Sequence, residues 1–226
     1  MICLPIKAVV FDLDGTLVTF RLDYLAARSD AIQALAKLGL PLSLFSIRES
    51  LFKMYDTAVL YLKNNGDETG AQGVYNVIFS IAERYELEAA RQTELIPGAI
   101  ETLNTLKDMS LKLGLCTNDG AMATKFISTK FGLDHLFDLI VTREQVPRVK
   151  PDTIHLQAVL TPLNVVPKEA VVTGDHEVDM RMAKAAGAIA VGVTTGFSTR
   201  ESLLSGGADY VLPSIVELPK IIRNLQ

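Results

Sequence analysis

Apolar positions along this chain fall into two regimes. Ala8-Val9-Val10-Phe11 is a short apolar run that stops at Asp12-Leu13-Asp14-Gly15-Thr16. A run of that length, bounded by a turn signal, predicts a strand buried on both faces, as in parallel sheets. Between residues 20 and 94 the spacing becomes helical. Leu22, Leu25, Ile32, Leu35 and Leu38 end at Gly39, and a second set from Leu51 to Leu62 ends at Asn65-Gly66. A third set starts near Gly70 and carries Val74, Ile78, Ile81 and Tyr85. Ser46 and Glu49 have capping-box spacing ahead of the second helix. Pro97 suits the start of a further helix bearing Ile100, Leu103 and Leu106. Beyond it, helical patterns alternate with apolar runs at Leu111–Cys116, Leu136–Val141, Ala170–Thr173, Ala188–Val193 and Ala208–Leu212. Strands separated by helices in this way predict βαβ units and one parallel sheet, interrupted by a helical insertion.

In open parallel sheets the loops leaving the strand ends line the ligand crevice. Several of these runs end in groups suited to such a place. Asp12 and Asp14 are two residues apart, so an extended chain turns them to one side, where their charges repel unless a cation or a proton intervenes. The second strand ends in Thr117-Asn118-Asp119-Gly120, a hydroxyl and an amide ahead of a helix N-terminus. Lys150-Pro151-Asp152 opens another helix and offers a compensating ammonium. The run Ala170–Thr173 is followed by Gly174-Asp175, with Asp179 four residues further on, where a starting helix lets both acids face one spot. Two acid pairs at separate strand ends suggest a metal.

Composition narrows the classes. The 226 residues carry a formal net charge of -4, with 49% hydrophobic and 21% charged residues, which is globular and gives no electrostatic footprint for nucleic acid. Cys3 and Cys116 are far apart and match no zinc-ligand pattern, so neither a disulfide framework nor a zinc site is expected, and Cys116 reads as a small buried residue. The first residues, apolar but interrupted by Pro5 and Lys7, are not expected to act as a signal peptide, and no run approaches a membrane span. A cytoplasmic setting without a membrane partner is expected; the oligomeric state is left open.

The ordered set Asp12-x-Asp14-Gly-Thr, Thr117-Asn118, Lys150-Pro and Gly-Asp175-xxx-Asp179 resembles the haloacid dehalogenase superfamily, in its magnesium-dependent phosphatase branch. Leu95-Ile96-Pro97-Gly98 and the tail from Gly196 to Leu212 also look like phosphoglycolate-phosphatase-like members. The resemblance implies an α/β Rossmann-like parallel core formed by residues 1–18 and 94–226, with an α-helical cap domain at 19–93. It further implies a Mg²⁺-dependent phosphatase acting on a small phosphorylated metabolite. Asp12 would be the nucleophile and Asp14 the acid and base. Thr117, Asn118 and Lys150 would hold the phosphoryl oxygens. Mg²⁺ would sit on Asp12, the backbone carbonyl of Asp14, and Asp175, with Asp179 behind them. Val18-Thr19-Phe20-Arg21 departs from the acid and small hydroxyl residue that many relatives carry just after the first motif, which argues against the phosphosugar contacts of the mutase members. Asp14 also argues against dehalogenating and phosphonate-cleaving chemistries. Two alternatives remain: a phosphosugar mutase of the same superfamily, and a phospho-accepting module resembling a response-regulator receiver.

Overall fold

A computed structural model describes residues 5–67 and 69–226, so Cys3 lies outside it. Among the described residues, six short strands form one parallel sheet in the order β3-β2-β1-β4-β5-β6. They are β1 (Ala8–Phe11), β2 (Lys112–Cys116), β3 (Leu139–Val141), β4 (Ala170–Gly174), β5 (Ile189–Val193) and β6 (Tyr210–Leu212). All four residues of β1 are buried, because β1 is central and covered on both faces. It pairs with β2 through Phe11 and Leu115 and with β4 through Phe11 and Thr173. The chain builds outward on one side from β1 to β2 and β3, and on the other from β4 to β6. The order therefore reverses at β1, which opens a crevice beyond the strand ends next to it.

The chain divides into two compact units: residues up to Arg21 together with Gln92–Gln226, and Leu22–Arg91. The second unit contains α1 (Tyr24–Lys37), α2 (Leu51–Asn64) and nearly all of α3 (Gly70–Gln92). Its core is Ala31, Leu35, Leu40, Met54, Ala58, Val74 and Ile78, the inward positions of three amphipathic helices. Asp30 ties α1 to α3, accepting from Arg84 at 2.5 Å and from the Tyr85 hydroxyl at 2.9 Å.

Two boundary expectations change. Ser46 does not cap α2. Its N–H instead donates to Glu49 in a separate turn, and Ser50, whose side chain accepts from Lys53 N, is the N-cap. Pro97 lies outside its helix, because Gly98 at φ 81° supplies the N-cap of α4 (Ala99–Asp108), a left-handed conformation that glycine adopts without strain. The remaining helices of the α/β unit are α5 (Ala121–Phe131), α6 (Thr153–Leu160), α7 (Glu177–Ala186), α8 (Arg200–Ser205) and α9 (Leu218–Leu225). They cover the sheet with a core that includes Val10, Val172, Leu156, Val159, Met180 and Ala183.

Within this unit, the segments that leave and re-enter it beside the helical insertion run together. Thr19 N donates to Glu94 O at 2.8 Å and Ile96 N to Leu17 O at 2.9 Å. The Thr93 hydroxyl donates to Thr19 O at 2.6 Å, and the Thr19 hydroxyl accepts from Glu94 N at 3.1 Å. These bonds fix where the first loop ends by pairing residues 17–19 with residues 93–96.

Candidate active site

The loop after β1 begins with Asp12, whose N–H donates to Thr173 O at 2.9 Å and so continues the β1–β4 pairing by one residue. The backbone then turns at Gly15, with φ 75°, a position where any side chain would run into the Asp175 carboxylate and the backbone of Gly196. The Thr195 hydroxyl donates to Gly15 O at 2.6 Å, locking this turn to the loop after β5. The glycine is thus what lets the loop after β1 close on the loops that follow β4 and β5.

Four of the residues singled out in the sequence converge beyond those ends. One carboxylate oxygen from each of Asp12, Asp175 and Asp179 lies within 4.8 Å of the other two. Lys150 bridges two of them, with its ammonium 2.5 Å from Asp12 Oδ1 and 2.7 Å from Asp179 Oδ1. Asp175 Oδ2 accepts from Phe197 N at 2.5 Å, and Asp179 Oδ2 accepts from His176 N at 3.2 Å. His176 also caps α7, its Nδ1 accepting from Val178 N at 3.2 Å. The Asp14 side chain is not part of this carboxylate cluster and keeps a partial opening to water.

Burial and mutual repulsion dominate the electrostatics. Asp175 is held well above the usual carboxylate range, first by its removal from water and then by Asp12 and Asp179. Asp179 is pushed up to about 6, with burial the largest cause and Lys150 opposing it. Burial would lower the Lys150 ammonium, but Asp12 and Asp179 more than offset it and keep the group charged. Asp14 is also raised, by desolvation first, then by Asp119, with which it shares a side-chain hydrogen bond, and by Asp12 and Asp175. Contact between two carboxyl groups needs a proton on one of them.

The second motif lies alongside. Thr117 is buried, and its Oγ1 accepts from Asp119 N at 3.1 Å, leaving its O–H as a donor. Asn118 turns both ends of its amide onto the main chain of Lys150. Its Oδ1 accepts from Lys150 N at 3.1 Å, and its Nδ2 donates to Lys150 O at 3.4 Å. The loop is held from β3 by the buried Arg143, whose Nη1 donates to Asn118 O at 3.4 Å and whose N–H donates to Asp119 O at 3.3 Å. Asp119, Arg143 and His155, which contacts Lys150, were not singled out by the sequence. Asp119 followed the Thr-Asn pair as an ordinary turn residue, and no spacing marks the other two.

Comparison with known proteins decides the family: residues 6–187 match the model of the haloacid dehalogenase-like hydrolases. The chain belongs to that family. It is an enzyme, a phosphatase among those hydrolases. A phosphoglycolate phosphatase of Chromobacterium violaceum is 30% identical over 225 residues, covering 97% of this chain and 97% of the relative. One from Cereibacter sphaeroides is 35% identical over 181 residues, covering 79% and 81%. Among solved structures, a hydrolase from Pseudomonas syringae superposes with a TM-score of 0.68 at 24% identity, covering 96% of this chain and 98% of that one, which shows the shared fold. Among the described residues no helix is long and apolar enough to cross a membrane.

The residues present fit a hard divalent ion. Three converging carboxylates provide the oxygen donors that Mg²⁺ prefers, and their charges exceed what Lys150 alone balances.

Proposed function

We propose that this member of the haloacid dehalogenase-like hydrolases is a Mg²⁺-dependent phosphatase of a small phosphomonoester, phosphoglycolate first among candidates, working through an aspartyl-phosphate on Asp12. The observation that carries the reading is the convergence of Asp12, Asp175 and Asp179 within 4.8 Å, with Lys150 spanning Asp12 and Asp179. Phosphoglycolate is supported by relatives of that name that match nearly the whole chain.

In this reading Asp12, the backbone carbonyl of Asp14, and Asp175 hold the ion, with Asp179 behind them. When bound, Mg²⁺ supplies the positive charge that lets a dianionic phosphate approach so many acids. A carboxylate oxygen of Asp12 attacks phosphorus, and the bond to the leaving oxygen breaks as Asp14 passes that oxygen its proton. Asp14, now ionised, takes a proton from water as the water attacks phosphorus. The Asp12–phosphorus bond then breaks, releasing phosphate and restoring both carboxyl groups. Lys150 and the Thr117 O–H stabilise the transferring oxygens where charge builds up. Asn118, with its amide engaged by Lys150, contributes through its backbone N–H and by holding that lysine. The raised pKa of Asp14, set first by desolvation and then by Asp119, favours the protonated form that an acid needs.

A phosphate-release screen over a broad panel of metabolites, with and without Mg²⁺, tests this function. Repeated Mg²⁺-dependent turnover of at least one phosphomonoester is expected, with phosphoglycolate among the substrates. A stable phosphoprotein that never releases phosphate would favour the receiver-like alternative.

The pKa shifts predict how the ion affects stability. A carboxyl whose pKa is higher folded than unfolded stabilises the native state below the unfolded value, and that contribution is lost as pH rises through the folded one. Asp175, and Asp179 at about 6, behave this way without metal. His155 and His176 have lowered pKa values and disfavour folding at acid pH, but they do so with or without the ion. Since bound Mg²⁺ favours the ionised form of its ligand Asp175 and, through its charge, of Asp179 behind it, the gain in Tm on adding it should be larger at about pH 7.5 than at about pH 5.5. Differential scanning calorimetry checks this, and equal gains at both pH values would count against the assigned ligands.

A further inference from the structure

His155 sits in the first turn of α6 with no exposure to solvent. Its neighbours Leu156, Val159 and Leu160 are buried too, so position 155 belongs to the packed side of the helix, where an aliphatic side chain would serve for burial alone. A buried imidazole carries a desolvation cost unless it makes a hydrogen bond. It makes one: Nδ1 accepts from the main-chain N–H of Lys150 at 3.2 Å. The same N–H lies 3.1 Å from Asn118 Oδ1, so one donor is held between acceptors from two different elements. The ring also faces the main chain of Val141, but Nε2 is buried without a partner of full hydrogen-bond geometry, so the fully formed bond is the one at Nδ1.

We infer that His155 is a positioning residue: with Asn118 it clamps the Lys150 backbone and so fixes where the ammonium meets Asp12 and Asp179. The reach of a lysine is long and its stem flexible, so an ammonium bonded to two acids at 2.5 and 2.7 Å needs a fixed origin. Accepting through Nδ1 requires the neutral ring with its proton on Nε2. Burial and the charge of Lys150 push the imidazole down to about 4, which secures that form at working pH. The kinetic part of the test rests on the phosphatase reading; the exchange part does not.

Three substitutions separate positioning from packing. His155→Asn puts an amide oxygen where Nδ1 stood, His155→Gln puts its polar end one atom further out, and His155→Leu keeps apolar volume with no acceptor. A packing role ranks activity with thermal stability, Leu highest. A positioning role ranks it by the acceptor. We expect kcat to fall by about ten- to a hundredfold in His155→Leu and His155→Gln. KM should change little, and His155→Asn should recover most of the loss although it leaves the larger void. Hydrogen exchange at the Lys150 amide should quicken in the Leu and Gln proteins and slow again in the Asn protein. Wild-type kcat in His155→Leu, or unchanged exchange at Lys150 in that protein, would overturn the assignment. If the wild-type protein turns over no phosphate ester, the phosphatase reading fails and the exchange measurement still decides the role of His155.

Discussion

Replacing Asp12 with Asn is expected to reduce phosphate release by about 10⁴-fold or more while leaving the fold intact. An amide has nearly the shape of the carboxylate but is no nucleophile toward phosphorus. Stability should not suffer. Asp12 is one of the charges that raise Asp14, Asp175 and Asp179, so its removal relieves repulsion among buried acids. The metal-free Asn protein should therefore unfold at the same temperature as the wild type or a higher one, as is common where a strained functional group is replaced. Initial rates on the best substrate and a thermal melt give both numbers. Near-normal Mg²⁺-dependent turnover would remove Asp12 from the chemistry, and a lower Tm would show that its bond to Lys150 outweighs the repulsion.

Lys150→Met should affect both activity and stability. The ammonium is buried and bonded to Asp12 and Asp179, and removing one partner of a buried ion pair leaves the other uncompensated. Without metal at neutral pH the substitution should cost about 3–5 kcal/mol. Mg²⁺ should recover part of that, because the ion answers the same carboxylates. Activity should not return with stability, since methionine offers the transferring oxygens no charge; a loss of about 10³-fold in kcat/KM is expected. Denaturant unfolding with and without Mg²⁺, beside steady-state kinetics, separates the two effects. A Met protein as stable as the wild type without metal would mean that the acids take up protons instead of relying on the lysine.

The sequence made the sheet legible where apolar runs are short, uninterrupted and bounded by turn residues, as at Ala8–Phe11 and Ala170–Thr173. It was less exact at Leu136–Val141. There Leu136 and Phe137 pack in a turn and pairing with β2 begins only at Leu139, because burial alone does not distinguish a strand from a packed loop. Helix starts depended on which of two serines the backbone presents, a choice between Ser46 and Ser50 that composition does not make.

In the site, Asp12, Lys150, Asp175 and Asp179 were visible because each occupies a strand end or helix start, and the parallel topology carries those ends to one crevice. Asp119, Arg143 and His155 were not visible, because each acts through a partner that no spacing rule ties to it: Asp14 and Asn118, both distant in sequence, and the Lys150 backbone five residues before His155. Asn118 was noticed as a donor for phosphate, whereas its amide faces Lys150. Residues that orient other residues leave no periodicity or spacing to read.

The account depends on carboxylates from two strand ends sharing one ion during turnover. Phosphate release measured across a Mg²⁺ titration, on wild-type and Asp175→Asn proteins with the same saturating substrate, tests this most directly. It predicts no release in chelator, saturable activation by Mg²⁺ in the wild type, and a shift to much higher Mg²⁺ in the Asn protein. Release that persists in chelator, or two superimposable Mg²⁺ curves, would contradict it.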